Sequence, residues 1–221
     1  MIRYFAVAGL LGLMTKVSFV YSQSADGDRY IESALSVQSL NSWQTEIALK
    51  ESKSISDYFL LLPKQLLEQE VELENDTKEF RLASAREGRG RINVSAGYLE
   101  AKPDVNLMMA LFKNRADKGD IIAIAIGCGV PPVQLCDYGF MEFDSQSKRW
   151  TFSDVFPWTE FYEKCETIKA DRSKLTGSME PFVPNIVLPE VGTTIYVIDA
   201  WDTKKEPVFR MVWNGTRFDV E

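Results

Sequence analysis

The stretch Val208-Phe-Arg-Met-Val-Trp-Asn-Gly-Thr-Arg-Phe-Asp-Val220 decides the fold class, because it has the pattern of two antiparallel strands joined by a tight turn. Asn214-Gly215 favours a two-residue type I′ turn. This turn predicts three facing pairs, which are Trp213 with Thr216, Met211 with Phe218 and Phe209 with Val220. The pairs share one largely apolar face, while Arg210, Arg217 and Asp219 lie on the other. Because turn type, register and polarity agree, the chain is predicted to end in a β-hairpin.

Two apolar segments upstream predict strands that are covered on both faces. They are Leu107–Phe112 and Ile121–Ile126, and neither contains a charged residue. The connection between them is too short for the crossover that parallel strands need, so they are expected to be antiparallel. In the second segment Ala123 and Ala125 share one face. One of the preceding helices is expected to pack closely against that small-residue face.

Further strands are predicted on both sides of these segments. Residues 140–143 and 150–152 flank a polar turn, which is typical of a second hairpin. Arg91–Leu99 alternates moderately, and Thr194–Trp201 is a further strand candidate. Together these patterns predict a mostly antiparallel sheet from about residue 91 to the C-terminus.

The segment before this sheet is predicted to be helical. Ser54 is a capping residue at the start of an apolar run that stops at Pro63, and Pro63 is suited to open the next helix over residues 64–70. Asp76-Thr-Lys-Glu79 has the spacing of a capping box, and Gly88 is a suitable stop for a helix over residues 77–87.

One later helix interrupts the predicted sheet. Trp158–Ile168 has helical spacing of Phe161, Cys165 and Ile168. Residues 171–192 are rich in proline and glycine and are expected to be mostly loop. The fold class is therefore predicted to be α+β, with N-terminal helices packed on a mostly antiparallel β-sheet that ends in a C-terminal β-hairpin.

The first 22 residues have the composition of an export signal. Arg3 precedes an apolar run over residues 4–14, and Lys16 interrupts the run before it is long enough to span a bilayer. Small residues permit cleavage after Ser22 or after Ser24. We expect residues 1–22 to be cleaved and the mature chain to be exported, to a periplasm or to the outside of the cell. The alternative is a buried N-terminal helix.

The remaining chain is expected to divide into two parts. Residues 23–50 are predicted as a weakly structured N-terminal segment with one or two short helices. Residues 51–221 are predicted as a single α+β domain, with a helical part at about 54–88 and a sheet part at about 91–221. No integral membrane segment is expected in the mature chain, because no later apolar run is long enough.

The charge of the chain disfavours two classes of partner. Loss of residues 1–22 would remove two of the 25 basic residues and none of the 32 acidic ones, which leaves a net charge of −9. Nucleic acids and anionic membranes are bound through lysine and arginine. No nucleic acid is therefore expected as a partner, and the oligomeric state is left open.

The three cysteines are Cys128, Cys136 and Cys165. An exported chain keeps disulfides. If the strands on either side of residues 127–135 pair, Cys128 and Cys136 meet at the mouth of one hairpin, and a bridge between them is predicted. The alternative is three free thiols. Cys165 is expected to be a buried filler in the helix of residues 158–168.

The chain contains no histidine, which excludes catalytic triads, cysteine–histidine pairs and histidine-dependent metal sites. No metal and no cofactor is expected. Carboxylates are the remaining acid and base groups. Six of them stand near predicted strand ends, namely Glu142, Asp144, Asp154, Glu160, Asp199 and Asp202.

Three residues are predicted, above the others, to contact a ligand. Asp199 shares a strand face with Ile195, Val197 and Trp201, and a carboxylate in apolar surroundings is suited to act as an acid. Trp201 and Trp158 are aromatic residues of the kind that stack on sugar rings or anchor interfaces. The alternative is that Asp199 faces solvent at a strand end and that the tryptophans belong to the core.

Two functions fit these patterns. The first is an exported, non-enzymatic domain that binds a protein or a glycan at the cell envelope. The alternative is a carboxylate-dependent hydrolase of envelope polysaccharide, which needs two carboxylates about 5–10 Å apart beside exposed aromatic residues.

Overall fold

A computed structural model describes residues 31, 35, 39–67, 76–87, 90–101, 107–115, 119–126, 136–176 and 182–221. The predicted signal segment, residues 1–22, lies outside these ranges. Within them, none of the helices has the length and apolarity needed to cross a bilayer.

Within the described residues, ten strands form two sheets. Sheet A contains β1 (Arg91–Asn93), β2 (Tyr98–Ala101), β3 (Leu107–Phe112), β4 (Ile121–Ile126), β5 (Asp137–Asp144) and β6 (Arg149–Phe152) in chain order. Sheet B contains β7 (Pro184–Val187), β8 (Thr194–Asp199), β9 (Pro207–Trp213) and β10 (Phe218–Val220), also in chain order. Every neighbouring pair is antiparallel, including β3 with β4. The α+β fold class is confirmed, whereas the division into two sheets was not predicted.

Five helices are described: α1 (Ser42–Ala48), α2 (Ile55–Leu61), α3 (Lys64–Leu67), α4 (Lys78–Ser84) and α5 (Trp158–Thr176). Ser54 caps α2 in a capping box with Asp57, as its position before the apolar run predicts. The capping box predicted at Asp76 is wrong. Thr77 is the N-cap of α4, because the side chain of Asp76 instead bonds that of Arg81.

Sheet A separates two hydrophobic cores. On one face, Ile122, Ile124 and Ile126 pack with α1, α2 and α3. On the other, Ala123 and Ala125 pack with sheet B and α5. The prediction that a preceding helix covers the alanine face is therefore wrong. Large rings fill the space between the two sheets. For example, Phe140 stacks on Phe156 with ring centroids 4.5 Å apart. The small side chains of Ala123 and Ala125 leave room for these rings.

Helix α2 ends inside the first core, where its last carbonyls need donors because Pro63 follows. The carbonyls of Leu60 and Leu62 accept from the guanidinium of Arg81, at 3.1 and 2.6 Å. The carbonyl of Leu61 accepts from the Trp150 indole at 3.1 Å. Arg81 is only 1% exposed. Side chains from α4 and sheet A thus terminate α2 and fix the helices on the sheet.

The C-terminal hairpin is present with a different turn. Trp213 faces Phe218 and Met211 faces Val220, so residues 214–217 form a four-residue connection and the predicted pairs are wrong. A type I′ turn needs positive φ at both central residues, and of the two only Gly215 has it. The side chain of Asn214 instead accepts from the backbone N–H of Thr216 and Arg217, at 2.9 and 3.1 Å. The register moves by two residues, so every side chain keeps its predicted face.

Two segments differ from their predicted structure. Residues 91–99 form two strands, because the chain turns at residues 94–97 and Gly97 has a φ of 71°. Residues 171–192 were expected to be mostly loop. Instead α5 continues to Thr176, and β7 occupies Pro184–Val187 as the edge strand of sheet B. Pro184 is tolerated there because an edge strand has one unpaired side.

The N-terminal segment of residues 23–50 contributes α1 to the fold. Ile31 and Leu35 are helical, and both are buried in the first core with Ile47 and Ala48.

Cys165 is a free, buried thiol, as predicted. Cys136 is buried immediately before β5. Cys128 lies outside the described residues, so its bridge to Cys136 stays a prediction.

Candidate functional site

Asp199 is the last residue of β8 and is buried at 4% exposure. Ile195 and Val197 share its inward face and are fully buried, in agreement with the predicted strand pattern. The carboxylate is bonded to the guanidinium of Arg172, and its Oδ1 accepts from the backbone N–H of Trp201 at 3.1 Å. Asp199 therefore joins α5 to the end of β8, and its oxygens are occupied by groups of the protein.

The three predicted ligand residues do not form one site. Trp201 follows Asp199 closely and is 51% exposed, outside the strand. Trp158 is the first residue of α5, while Arg172 holds Asp199 fourteen residues later in the same helix. A rise of 1.5 Å per residue separates those two helix positions by about 21 Å. Trp158 consequently belongs to a different surface.

That surface is a groove along residues 153–157, which connect β6 with α5. We call it the Asp154 groove; its principal residues are Glu142, Phe152, Ser153, Asp154, Trp158 and Glu160. Adjoining cavities of about 360, 350 and 260 Å³ share Asp154 as a lining residue. They lie side by side around Asp154, just after the end of β6.

Both sheets hold the wall of this groove. The backbone N–H of Ser153 donates to the Phe140 carbonyl of sheet A at 2.8 Å. Two residues later, the Val155 carbonyl accepts from the N–H of Phe218 in sheet B at 3.0 Å. Asp154 stands between the two anchors, so its backbone is tied on either side. The two anchors therefore fix the point from which the Asp154 side chain extends.

Three carboxylates contribute to the polar lining. Glu142 on β5 accepts from the Ser153 hydroxyl at 2.6 Å. Asp154 and Glu160 are exposed, and neither carboxylate has a hydrogen-bond or ion-pair partner in the described part of the chain. These two side chains are therefore available to accept hydrogen bonds from a ligand.

Aromatic rings form the apolar part of the groove. Phe152, in β6, is 44% exposed. Trp158 is half-buried and leans on Phe156, with ring centroids 4.3 Å apart. A second contact with Tyr162, at 6.0 Å and with nearly parallel rings, holds the indole from the helix side. The groove thus combines the exposed Phe152 ring and the supported Trp158 indole with the unpaired carboxylates of Asp154 and Glu160.

Three of the six carboxylates considered from the sequence meet here, namely Glu142, Asp154 and Glu160. Two of the others stabilise turns. Asp144 accepts from the Ser147 hydroxyl and from the N–H of Gln146, and these bonds lower its pKa. Asp202 accepts from the N–H of Lys204 at 2.9 Å.

Sequence reasoning overlooked Phe152 and Ser153. Their position between a strand and a helix start was the available signal, since connections of this kind often carry binding residues.

The residues described include no group of three or more cysteine, aspartate or glutamate side chains arranged to hold a metal ion. Comparison with family models, curated proteins and solved structures finds no match to this chain. The groove itself is therefore the basis for an assignment.

Proposed function

We propose that this protein is an exported, non-enzymatic domain that binds a glycan of the cell envelope in the Asp154 groove. The observation that carries the proposal is the juxtaposition of the exposed ring of Phe152 and the half-buried ring of Trp158 with the unpaired carboxylate of Asp154. Sugar rings present apolar C–H faces to aromatic rings and hydroxyl donors to carboxylates, so one ligand satisfies both kinds of group.

The charge of the groove restricts the class of glycan that can bind. Glu142, Asp154 and Glu160 are acidic, and the one basic lining residue, among those described, is Arg217, which already pairs with Asp219 at 3.1 Å. Uronic acids and phosphate-rich polymers would be repelled. Neutral sugars and amino sugars fit the groove better.

Binding is tested by calorimetric titration of the protein with chitohexaose, cellohexaose and a hexamer of glucosamine, which represent neutral sugars and amino sugars. We expect saturable binding of at least one of them. Phe152→Ala and Asp154→Ala should each weaken that binding at least about tenfold, since each change removes a contact worth about 1.4 kcal/mol or more.

Two matched controls lie outside the groove. Trp201→Ala removes an exposed aromatic ring, and Glu206→Ala removes an exposed carboxylate. Both should bind as the unmodified protein does. Failure of all three glycans to bind, or equal weakening by the controls, contradicts the proposal.

A hydrolase of envelope polysaccharide is the second candidate, because Glu142 and Asp154 line the same cavity. It requires one carboxylate to act as acid and the other as base or nucleophile. Incubation of the bound glycan with the protein, followed by mass spectrometry of the products, separates the two functions. Cleavage that is lost in Glu142→Gln and in Asp154→Asn, with glycan binding retained, would replace the binding proposal by the hydrolase.

Export is a separate part of the proposal and has its own test. Intact-mass measurement of the protein from its native host should give a mature N-terminus within residues 23–26. A chain that still starts at Met1 would remove the envelope from the proposal and leave the groove as a glycan site in another compartment.

A further inference from the structure

A second cavity, of about 420 Å³, lies beside β7 at the edge of sheet B. Its apolar wall combines residues of both sheets with the residue that follows β7, namely Leu107, Met108, Ile186, Ile198 and Leu188. Four of these are buried and Met108 is half-buried. None of its lining residues belongs to the Asp154 groove. The cavity is therefore a separate site with an apolar body.

A buried amide lines this cavity. Asn185 on β7 is 7% exposed, and its Oδ1 accepts from the Tyr138 hydroxyl at 2.5 Å. Tyr138 also holds the backbone of Ile186, whose N–H donates to the hydroxyl oxygen at 3.2 Å. Within the described structure the Nδ2 group of Asn185 has no hydrogen-bond partner. Its two N–H donors therefore have no protein acceptor, and a buried donor left unsatisfied costs about 1–3 kcal/mol.

Four charged residues also line the cavity, two of each sign. Arg91 bonds Glu100 at 2.6 Å and Glu190 at 2.9 Å, and Lys205 is the fourth charged lining residue. Two positive and two negative charges give no net attraction for an ion. A ligand with a charged head group would gain little attraction from these four residues and would lose its hydration on entry.

We propose that this cavity binds an uncharged amphipathic molecule, whose apolar chain lies against Met108 and Ile186 and whose carbonyl or hydroxyl oxygen accepts a hydrogen bond from Nδ2 of Asn185. A monoacyl ester or amide has this chemistry. Such a ligand supplies the missing acceptor and covers the apolar wall at the same time, so its two ends are recognised by independent features.

The test is calorimetric titration of the protein with 1-lauroylglycerol below its micelle concentration, with laurate at pH 8 as the charged comparison. We expect saturable binding of the ester and at least about tenfold weaker binding of laurate. Asn185→Leu, which removes the amide donor, should weaken binding of the ester at least about fivefold. Met108→Trp, which fills the cavity, should abolish it.

Asn185→Leu keeps the test decisive if Met108→Trp does not fold, which circular dichroism will show. Phe152→Ala, in the Asp154 groove, is the control and should bind the ester normally. Absence of ester binding, or binding unchanged in the folded cavity variants, overturns the site. If laurate binds as tightly as the ester, the proposal that the ligand is uncharged is overturned. Neither result bears on glycan binding in the groove.

Discussion

Arg172 of α5 binds the buried carboxylate of Asp199 at the end of β8, and this ion pair attaches the second half of the helix to sheet B. The guanidinium also lies over the Phe182 ring, 5.1 Å from its centroid, so the same arginine holds the chain that enters β7. An aspartate on an apolar strand face is here a structural anchor, because a neighbouring helix supplies the cation.

The first prediction concerns this pair. Asp199→Ala should lower the free energy of unfolding by about 1–3 kcal/mol, because it removes the ion pair with Arg172 and leaves the Trp201 N–H without the Asp199 acceptor. Urea denaturation measures the loss. Asp171→Ala removes an exposed pair with Lys174 in the same helix and should change stability by less than about 0.5 kcal/mol. A stable Asp199→Ala variant that loses ligand binding would instead restore Asp199 as a functional residue.

The second prediction concerns Arg81, the buried arginine that bonds Asp76 and the carbonyls at the end of α2. Arg81→Met should destabilise the protein by about 3–5 kcal/mol, since the carboxylate of Asp76 loses its ion pair and the carbonyls of Leu60 and Leu62 keep only the Gln44 amide, at 2.9 and 3.4 Å, as a side-chain donor. The measurement is again the free energy of unfolding. Arg86→Met, at an exposed position just after the same helix, is the matched control. Equal stability of the two variants would mean that other donors replace the guanidinium.

The third prediction concerns Gly215, whose φ is 105°. A Cβ at this position would lie 2.6 Å from Cδ of Arg115, whose backbone N–H donates to the Gly215 carbonyl at 2.8 Å. Gly215→Ala should cost about 1–2 kcal/mol from the positive φ alone, and more from this contact.

Gly192→Ala is the control, because its φ is 86° and no atom lies within 4 Å of the new Cβ. Repeating Gly215→Ala in an Arg115→Ala background should recover the contact part of the loss. If the background changes nothing, the cost of the substitution lies in the backbone alone.

The fourth prediction concerns the thiols. Burial raises the pKa of Cys165 to about 12, so only about one thiol in 10⁴ is ionised at pH 8. The native protein should show no rapidly reacting thiol. Denatured, unreduced protein should show one, if Cys128 and Cys136 form the predicted bridge. A count of three after denaturation would exclude the bridge.

The fifth prediction concerns pH. Burial, reinforced by the charge of Glu100, raises the pKa of Tyr98 from 10.0 to about 12. The unfolded chain therefore loses this proton before the folded chain does. The stabilisation is fully present below pH 10 and is lost as pH rises from about 10 through about 12. Tyr98→Phe should make the alkaline fall in unfolding free energy shallower, and an unchanged slope would mean that Tyr98 does not contribute.

Local patterns predicted much of the secondary structure. The bounds of β3 and β4 agree with their apolar runs, and α2 begins after Ser54 as its cap indicates. The hairpin faces were also predictable, because alternation of side chains survives a register change of two residues. The turn itself was not, since the Asn214 side chain competes with the type I′ geometry by bonding its own backbone.

The candidate sites were less accessible to sequence reasoning. Trp158 was identified, but its association with Glu142 and Asp154 depends on the end of a hairpin meeting the start of a helix. Asp199 was predicted to contact a ligand. Its actual partner, Arg172, lies 27 residues away in the chain, so no local pattern connects the two. Asn185 could not be identified from the sequence, because the burial of its amide and the lack of an acceptor for its Nδ2 depend on residues that are distant in the chain.

The amino-acid sequence by itself determined the fold class, the antiparallel order of the strands and the inward faces, because each follows from short-range periodicity, caps and connection length. Only the tertiary structure decided that the strands divide into two sheets, that the alanine face of β4 meets sheet B, and that Asp199 is an anchor while Asp154 is free. These outcomes depend on which surfaces meet across long stretches of chain. At those contacts, side-chain volumes and charges on one element complement those on another, and the residues involved are not connected by any local pattern.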